Sequence, residues 1–310
     1  MIRSILVPLD GSTFGEHALP MAMAMAKHME ASLNLIHVHS LLDATYAELQ
    51  VFDNTLDQEL RKKERDYLHE VQKKVQDRLS VPVTIPNVDG DIATVIAEQA
   101  DSLRVSWVVM TTHARGPMGR FWLGSVTDEL IRTLPVPVVA VHPSERAPDL
   151  ANDRPVKHIL VPLDGTPLAA HILEHAIPFG KAMKADYTLL RVVTAVYPST
   201  VPAEPVTFGA IATDMMDRID KMHAELKKEA MDYLEGVADR LRKEGLKVQT
   251  RVAIETQPGV AILENAKPPI DMIAIETHGR SGLTRLLLGS VADKVIRGST
   301  LPVLVAKPKA

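Results

Sequence analysis

Uninterrupted apolar runs alternate along this chain with segments whose apolar residues return every three or four positions. Ile5-Leu6-Val7 and Val108-Val109-Met110 are continuous rather than alternating, which is the pattern of strands covered on both faces. The first half reads as strands near 4–9, 32–39, 82–87, 105–112 and 136–141. Helices are predicted near 15–29, 55–79, 92–102 and 125–133. The second half repeats the scheme with strands near 157–163, 186–193, 247–254, 270–277 and 301–306. Strands separated by helices require right-handed crossovers, so each half is predicted to be an α/β domain with a doubly wound, five-stranded parallel sheet. Met21 to Ala26 is apolar but far shorter than the ~20 residues of a membrane span, and reads as a buried helix. The helix near 55–79 carries Arg61-Lys62-Lys63-Glu64-Arg65, but Glu59, Glu64, Asp66 and Glu70 are interleaved with its cations. That mixture is a solvated face with i,i+4 pairs, not a nucleic-acid tract.

The two halves are copies of one unit. Ile5 to Gly11 (ILVPLDG) recurs letter for letter from Ile159 to Gly165. Leu123-Gly124-Ser125-Val126 recurs at Leu288 to Val291, Thr112-His113 at Thr277-His278, and Asp66-Tyr67-Leu68 at Asp232 to Leu234. The drift between these offsets places four extra residues between Asp164 and Ala176, and the rest in the loop holding Pro198, Pro202 and Pro205. His142 to Pro155 is rich in Pro, Asp and Arg without apolar periodicity, so it reads as the linker. The domains are expected at 1–145 and 155–310.

Composition narrows the chemistry. The 310 residues include no cysteine, which excludes thiol catalysis, disulfides and cysteine-ligated zinc. A formal net charge of −4 leaves no global basic field for nucleic acid. No basic leader with a long apolar stretch precedes Ile2 to Val7, so a cytoplasmic protein without signal peptide or membrane contact is expected.

In doubly wound sheets, ligands bind beyond the carboxyl ends of the strands where the winding reverses. Asp10-Gly11 and Asp164-Gly165 follow the first strand of each copy. Thr111 to Ser125 and Glu276 to Ser290 follow the fourth. The latter segments are glycine-bearing and each opens a helix, so backbone amides and the helix dipole there favour a phosphate. Ser290 is expected as the N-cap, with Arg280 and Arg285 adding charge. Neither G-x-x-x-x-G-K-[ST] nor G-x-G-x-x-G occurs.

V-P-L-D-G, T-H-G-R-S-G, L-L-L-G-S-V-A-D and L-P-V-L-V, in that order, resemble the universal stress protein family over nearly all of both halves. The resemblance implies a Rossmann-like five-stranded sheet ordered 3-2-1-4-5, in dimers or tandem pseudo-dimers. One branch of that family binds ATP through G-x-x-G-(nine residues)-G-[ST], and another has lost the motif. In the second copy Gly279, the nine residues beginning at Arg280, and Gly289-Ser290 match, but Glu276 replaces the first glycine. In the first copy Gly124-Ser125 match, but Ala114 and Thr111 replace both glycines. Asp10 and Asp164 match the aspartate near the adenosine, and Val38 and Val192 the position touching adenine. Pro162 and Val291 flank the implied site of the second copy, and Pro8 and Val126 that of the first. An alanine forced to positive φ costs about 1–2 kcal/mol. A carboxylate ~4 Å from a phosphate costs about 1–4 kcal/mol in semi-exposed surroundings. The resemblance therefore implies ATP or a related adenine nucleotide, with or without magnesium, mainly in the second copy, and a weaker or structural first copy.

Three rival readings remain. His171-Ile172-Leu173-Glu174-His175 spells H-x-x-E-H, a zinc-peptidase motif, but no third ligand is evident and the first copy has only Glu16-His17 there. His37 and His39 share a strand face, where packed and hydrogen-bonded histidines are far commoner than ligands. His113 and His278 read as loop-shaping, and Ser125 and Ser290 have no visible relay partners, so no enzyme beyond slow ATP hydrolysis is expected. The last reading is a nucleotide-free interaction protein. The apolar final strands, Val136 to Val139 and Leu301 to Val305, would lie at sheet edges and invite pairing. In the family this strand mediates dimerisation, so the halves are expected to pair within one chain, and a homodimer is a further possibility.

Overall fold

A computed structural model describes residues 4–39, 54–113, 123–151, 155–195, 208–277 and 288–307. The first half contains β1 (Ser4–Pro8), α1 (Ala18–Met29), β2 (Ser32–His39), α2 (Asn54–Gln76), β3 (Val83–Thr84), β4 (Asn87–Asp89), α3 (Ile92–Ser102), β5 (Trp107–Thr111), α4 (Ser125–Thr133) and β6 (Val138–Val141). The second contains β7 (His158–Pro162), α5 (Pro167–Ala170), α6 (Leu173–Met183), β8 (Asp186–Thr194), α7 (Phe208–Lys243), β9 (Val248–Glu255), α8 (Pro258–Asn265), β10 (Met272–Glu276), α9 (Ser290–Gly298) and β11 (Val303–Ala306).

The strand order is β3-β2-β1-β5-β6-β11-β10-β7-β8-β9, with β4 also pairing β2. Each half therefore has the order 3-2-1-4-5, parallel throughout. The halves meet where β6 and β11 pair antiparallel, Leu304 opposite Val139. Both of these residues are fully buried. Each strand covers the other's apolar edge, which would otherwise be open to pairing with another chain.

The uninterrupted apolar runs are buried on both faces, as Ile5, Leu6 and Val7 are. One apolar layer lies under α1, α2, α6 and α7, the other under α3, α4, α8 and α9. Both layers run through the seam. Trp107 of β5 packs on Phe179 of α6 with ring centroids 5.6 Å apart. Met25, Phe179, Leu234 and Val139 thus belong to one continuous core.

Two expectations need correcting. The first copy's predicted strand near 82–87 is two short pieces, β3 and β4, separated by Ile85-Pro86. Proline has no N–H to give the ladder, and the break falls there. The second copy, without a proline in that stretch, has one eight-residue strand, β9. The four-residue insertion after Asp164 is also cancelled before the next strand. Glu-His-Ala-x-Pro matches at an offset of 158 (Glu16 to Glu174), yet β2 and β8 begin at Ser32 and Asp186, an offset of 154. Both first helices end on left-handed residues at that same offset, Glu30 (φ 53°) and Lys184 (φ 56°). The second copy fills the stretch with α5 and an 11-residue α6 where the first has a 3-10 turn and a 12-residue α1, so the two are equal in length. The predicted helix near 15–29 opens with a 3-10 turn, Gly15–His17. The loop holding Pro198, Pro202 and Pro205 lies outside the described residues.

Leu304→Ala should remove a buried side chain at the seam and lower stability by about 2–5 kcal/mol, measured by denaturant unfolding. An unchanged midpoint would contradict a seam packed as a core.

Candidate functional site

A cavity of about 470 Å³ opens at the carboxyl ends of β7, β8 and β10. Pro162 and Asp164 reach it from β7, Arg191 to Thr194 from β8, and Glu276 and Thr277 from β10. Gly289 to Ala292, at the start of α9, close one end. Pro258 and Ile262 of α8 and Leu226 and Glu229 of α7 form its walls. Its size and mixed lining are those of a small-molecule site.

Asp164 organises the turn after β7. Its Oδ1 accepts hydrogen bonds from the Thr166 amide at 2.9 Å and the Thr166 hydroxyl at 2.6 Å. Gly165 stands at φ +88°, which a residue with a Cβ rarely adopts, and a Cβ there would collide with the Arg191 guanidinium. Arg191 also lies 5.3 Å over the Tyr233 ring. Among the described residues lining the cavity Arg191 is the single cation. Sequence reasoning passed over it, although a lone arginine in the apolar run Leu189-Leu190-Arg191-Val192-Val193 was a readable signal.

The start of α9 differs from expectation in one detail. Gly289, not Ser290, is the N-cap, with φ −62° and ψ 144°, and Ser290 is the first helical residue. The Gly289 amide is already engaged by the Thr277 carbonyl at 2.8 Å, which holds the glycine just outside the helix. The first helical bond runs from Asp293 N–H to the Gly289 carbonyl, so the amides of Ser290, Val291 and Ala292 lack intrahelical acceptors. They and the helix dipole form an anion-favouring end of the cavity. The first copy has the same arrangement, with Gly124 as N-cap bonded to the Thr112 carbonyl at 2.7 Å.

Glu276 is 5% exposed at the floor of the cavity. Burial, with a smaller contribution from the Glu174 carboxylate, pushes its carboxyl up to about 8. At neutral pH it is therefore mostly uncharged. The repulsion expected between Glu276 and a phosphate assumed an ionised side chain, and burial removes that assumption. His171 stands beside it, Nδ1 3.5 Å from Oε2.

Of the residues predicted for the second copy, Pro162, Asp164, Val192, Glu276, Gly289, Ser290 and Val291 line this one cavity. Gly279 and Arg280, with His278 and Arg285, lie outside the described residues, as does Ala114 of the first copy. Pro8, Asp10, Val38, Thr111, Gly124, Ser125 and Val126 occupy the matching carboxyl edge of the first half. There a polar network ties β2 to α2. His39 lies between Glu64 at 2.8 Å and Asp57 at 2.9 Å, and His37 reaches Glu64 at 3.4 Å and the Leu9 carbonyl at 2.9 Å. Arg61 binds Asp57 at 2.8 Å and Asp89 at 2.6 Å, and holds the Asp57 carboxyl below its ordinary range. In the second copy Arg191, Val193 and Ala230 stand where His37, His39 and Glu64 stand in the first.

The H-x-x-E-H segment does not form one regular helix. α5 ends at Ala170, α6 begins at Leu173, and His171 lies in the turn between them. Among the described residues no three His, Asp or Glu side chains are arranged to hold a metal ion. No described helix is long and apolar enough to cross a membrane.

Known proteins share this fold. The family model described as "Universal stress protein family" matches residues 1–142 and 155–307. The chain belongs to the universal stress protein family. A universal stress protein of Mycolicibacterium smegmatis is 26% identical over 309 residues, covering 98% of this chain and 97% of the relative. One from Methanocaldococcus jannaschii is 34% identical over 152 residues, 49% of this chain and 82% of the relative. The crystal structure of a universal stress protein from Archaeoglobus fulgidus superposes with a TM-score of 0.65 at 18% identity, covering 98% of this chain and 96% of that one. The tandem fold is thus a family fold.

The raised pKa of Glu276 has a stability consequence. The folded value, about 8, lies above the ordinary 4.5, so unfolding releases the proton between these limits. Stability is fully present at acid pH, falls as pH rises through that window, and is flat above it. Glu276→Gln does not titrate, so its thermal midpoint should exceed that of the wild type above pH 8 and converge with it below pH 4.5. A gap that is constant with pH would contradict a buried, protonated Glu276.

Proposed function

We propose that this universal stress protein binds ATP or a related adenine nucleotide in the cavity of its C-terminal half, in a regulatory stress-response role. The observation that carries this reading is the convergence of seven separately predicted residues on one cavity that ends at the free amides of α9. The phosphates fit the α9 end, where amides and dipole favour negative charge. The base fits the β8 end, against Val192, Ile262 and Leu226, with Asp164 within reach of the adenosine. Magnesium would accompany the phosphates when bound. Among the described residues the cavity presents no paired general base and nucleophile, and the reading is of a binding protein with at most slow hydrolysis. The domain division at 1–145 and 155–310, a cytoplasmic setting, and the absence of nucleic-acid or membrane partners are parts of the same proposal. So is the role of the seam as an intrachain pseudo-dimer interface.

The first half is proposed as the weaker or silent site. The His37–His39–Glu64–Asp57 network closes the β2–α2 corner, whose second-copy counterpart is lined by Arg191, Val193 and Leu226. A nucleotide bound there would have to displace several charge-assisted hydrogen bonds. That network favours a second reading, in which the first half acts only as a structural partner.

Calorimetric titration with ATP, with and without magnesium, should give about one nucleotide per chain. Gly289 lines the cavity beside the α9 amides, so Gly289→Leu should abolish binding, while Gly124→Leu leaves it intact. Two nucleotides per chain would overturn the silent first half. Undetectable binding, or full affinity in Gly289→Leu, would overturn the nucleotide site itself.

A further inference from the structure

The carboxyl of Glu276 ends β10 at the cavity floor, and neither oxygen has a hydrogen-bond partner among the described residues. The same holds for both ring nitrogens of His171. His171 Nδ1 is 3.5 Å from Glu276 Oε2, and its Nε2 is 3.4 Å from the Glu174 carboxylate, distances at which charges attract without hydrogen-bond geometry. Buried polar atoms are nearly always paired, so two unpaired oxygens on a residue lining a ligand-sized cavity, with two unpaired nitrogens on His171 beside it, need an explanation. The first copy lacks this feature. Thr111 replaces Glu276, and His17, the counterpart of His171 at an offset of 154, is bonded to the carbonyls of Thr13 at 3.0 Å and Arg146 at 2.7 Å.

The charged surroundings limit what Glu276 can do. From α6, Glu174 faces His171, and the His175 ring lies edge-on to it with centroids 5.6 Å apart. Asp164 from β7, Arg191 from β8 and Glu229 from α7 line the same cavity. β11 places uncharged Ala306 opposite Glu276, and α9 contributes Ser290 to Ala292. A protonated carboxyl is a hydrogen-bond donor, whereas a carboxylate is an acceptor only. With its proton, Glu276 is uncharged and sets no negative charge beneath the ligand's phosphates. Without it, a bare carboxylate meets the ligand's negative charge in a poorly solvated site.

We propose that Glu276 is the specificity-determining residue of the C-terminal cavity, admitting an anionic nucleotide only while its carboxyl holds its proton. Binding and protonation are then reciprocally linked, and above the midpoint of Glu276 each bound nucleotide takes up one proton. The inference rests on the reading of this cavity as a nucleotide site. The first half, with threonine at the equivalent position, has no such linkage.

The test is the dissociation constant of ATP measured from neutral pH to about pH 10, where its phosphates are fully ionised, in the wild type and in Glu276→Gln. The wild-type constant should rise about tenfold per pH unit above the midpoint. Glu276→Gln is uncharged at every pH and should bind with little change across the range. Calorimetry in two buffers of different ionisation enthalpy should detect proton uptake by the wild type and none by the variant. A flat wild-type profile, an equal slope in both proteins, or buffer-independent heats would overturn the linkage while leaving the nucleotide site intact. Failure of ATP to bind either protein at any pH would overturn both.

Discussion

An apolar strand at the rim of a sheet has to be covered, and in this chain β6 and β11 cover each other. That pairing joins two parallel five-stranded halves into one sheet and makes their apolar layers continuous. Because the junction is antiparallel while each half is parallel, the carboxyl edges of the two halves point in opposite directions. The two carboxyl edges therefore lie on opposite edges of the joined sheet, and each is built from its own half. A duplicated domain arranged this way can lose one site without disturbing the other, provided the seam stays packed.

The two copies have diverged at these carboxyl edges. In the first, histidines on β2 and carboxylates on α2 satisfy one another, so side chains occupy the corner beside Val38. In the second, Arg191 is drawn over Gly165 and Tyr233, Val193 and Ala230 replace the polar partners, and a cavity remains. The polar burden of the second copy is carried instead by Glu276 at the cavity, with His171 beside it. Burying a carboxyl without a hydrogen-bond partner is costly, and keeping it protonated is the cheaper state.

Most of the architecture was legible because it rests on local signals: continuous apolar runs for two-faced strands, Asp-Gly after the first strand, glycine before the last helix. The boundaries of α3 and α4 follow those signals residue for residue. What escaped was whatever depends on tertiary environment. Pro86 splits a strand that its apolar neighbours promised. Glu276 looked like a repulsive charge because sequence carries no burial. Arg191 was overlooked because its partners, Gly165 and Tyr233, are distant in sequence. The one-turn shift between the Glu-His-Ala-x-Pro motif and the strand register is invisible until β8 fixes the offset. The loop residues Gly279 and Arg280 are legible in the motif alone.

The central claim is that one nucleotide site exists and belongs to the C-terminal half. Photoaffinity labelling with an azidoadenine analogue of ATP, followed by peptide mapping, tests it most directly. The account predicts label in peptides from β8 and α8, Asp186–Thr194 and Pro258–Asn265, lost when excess ATP is present. Label concentrated instead in β2 and α3, Ser32–His39 and Ile92–Ser102, or label that ATP does not displace, would contradict it.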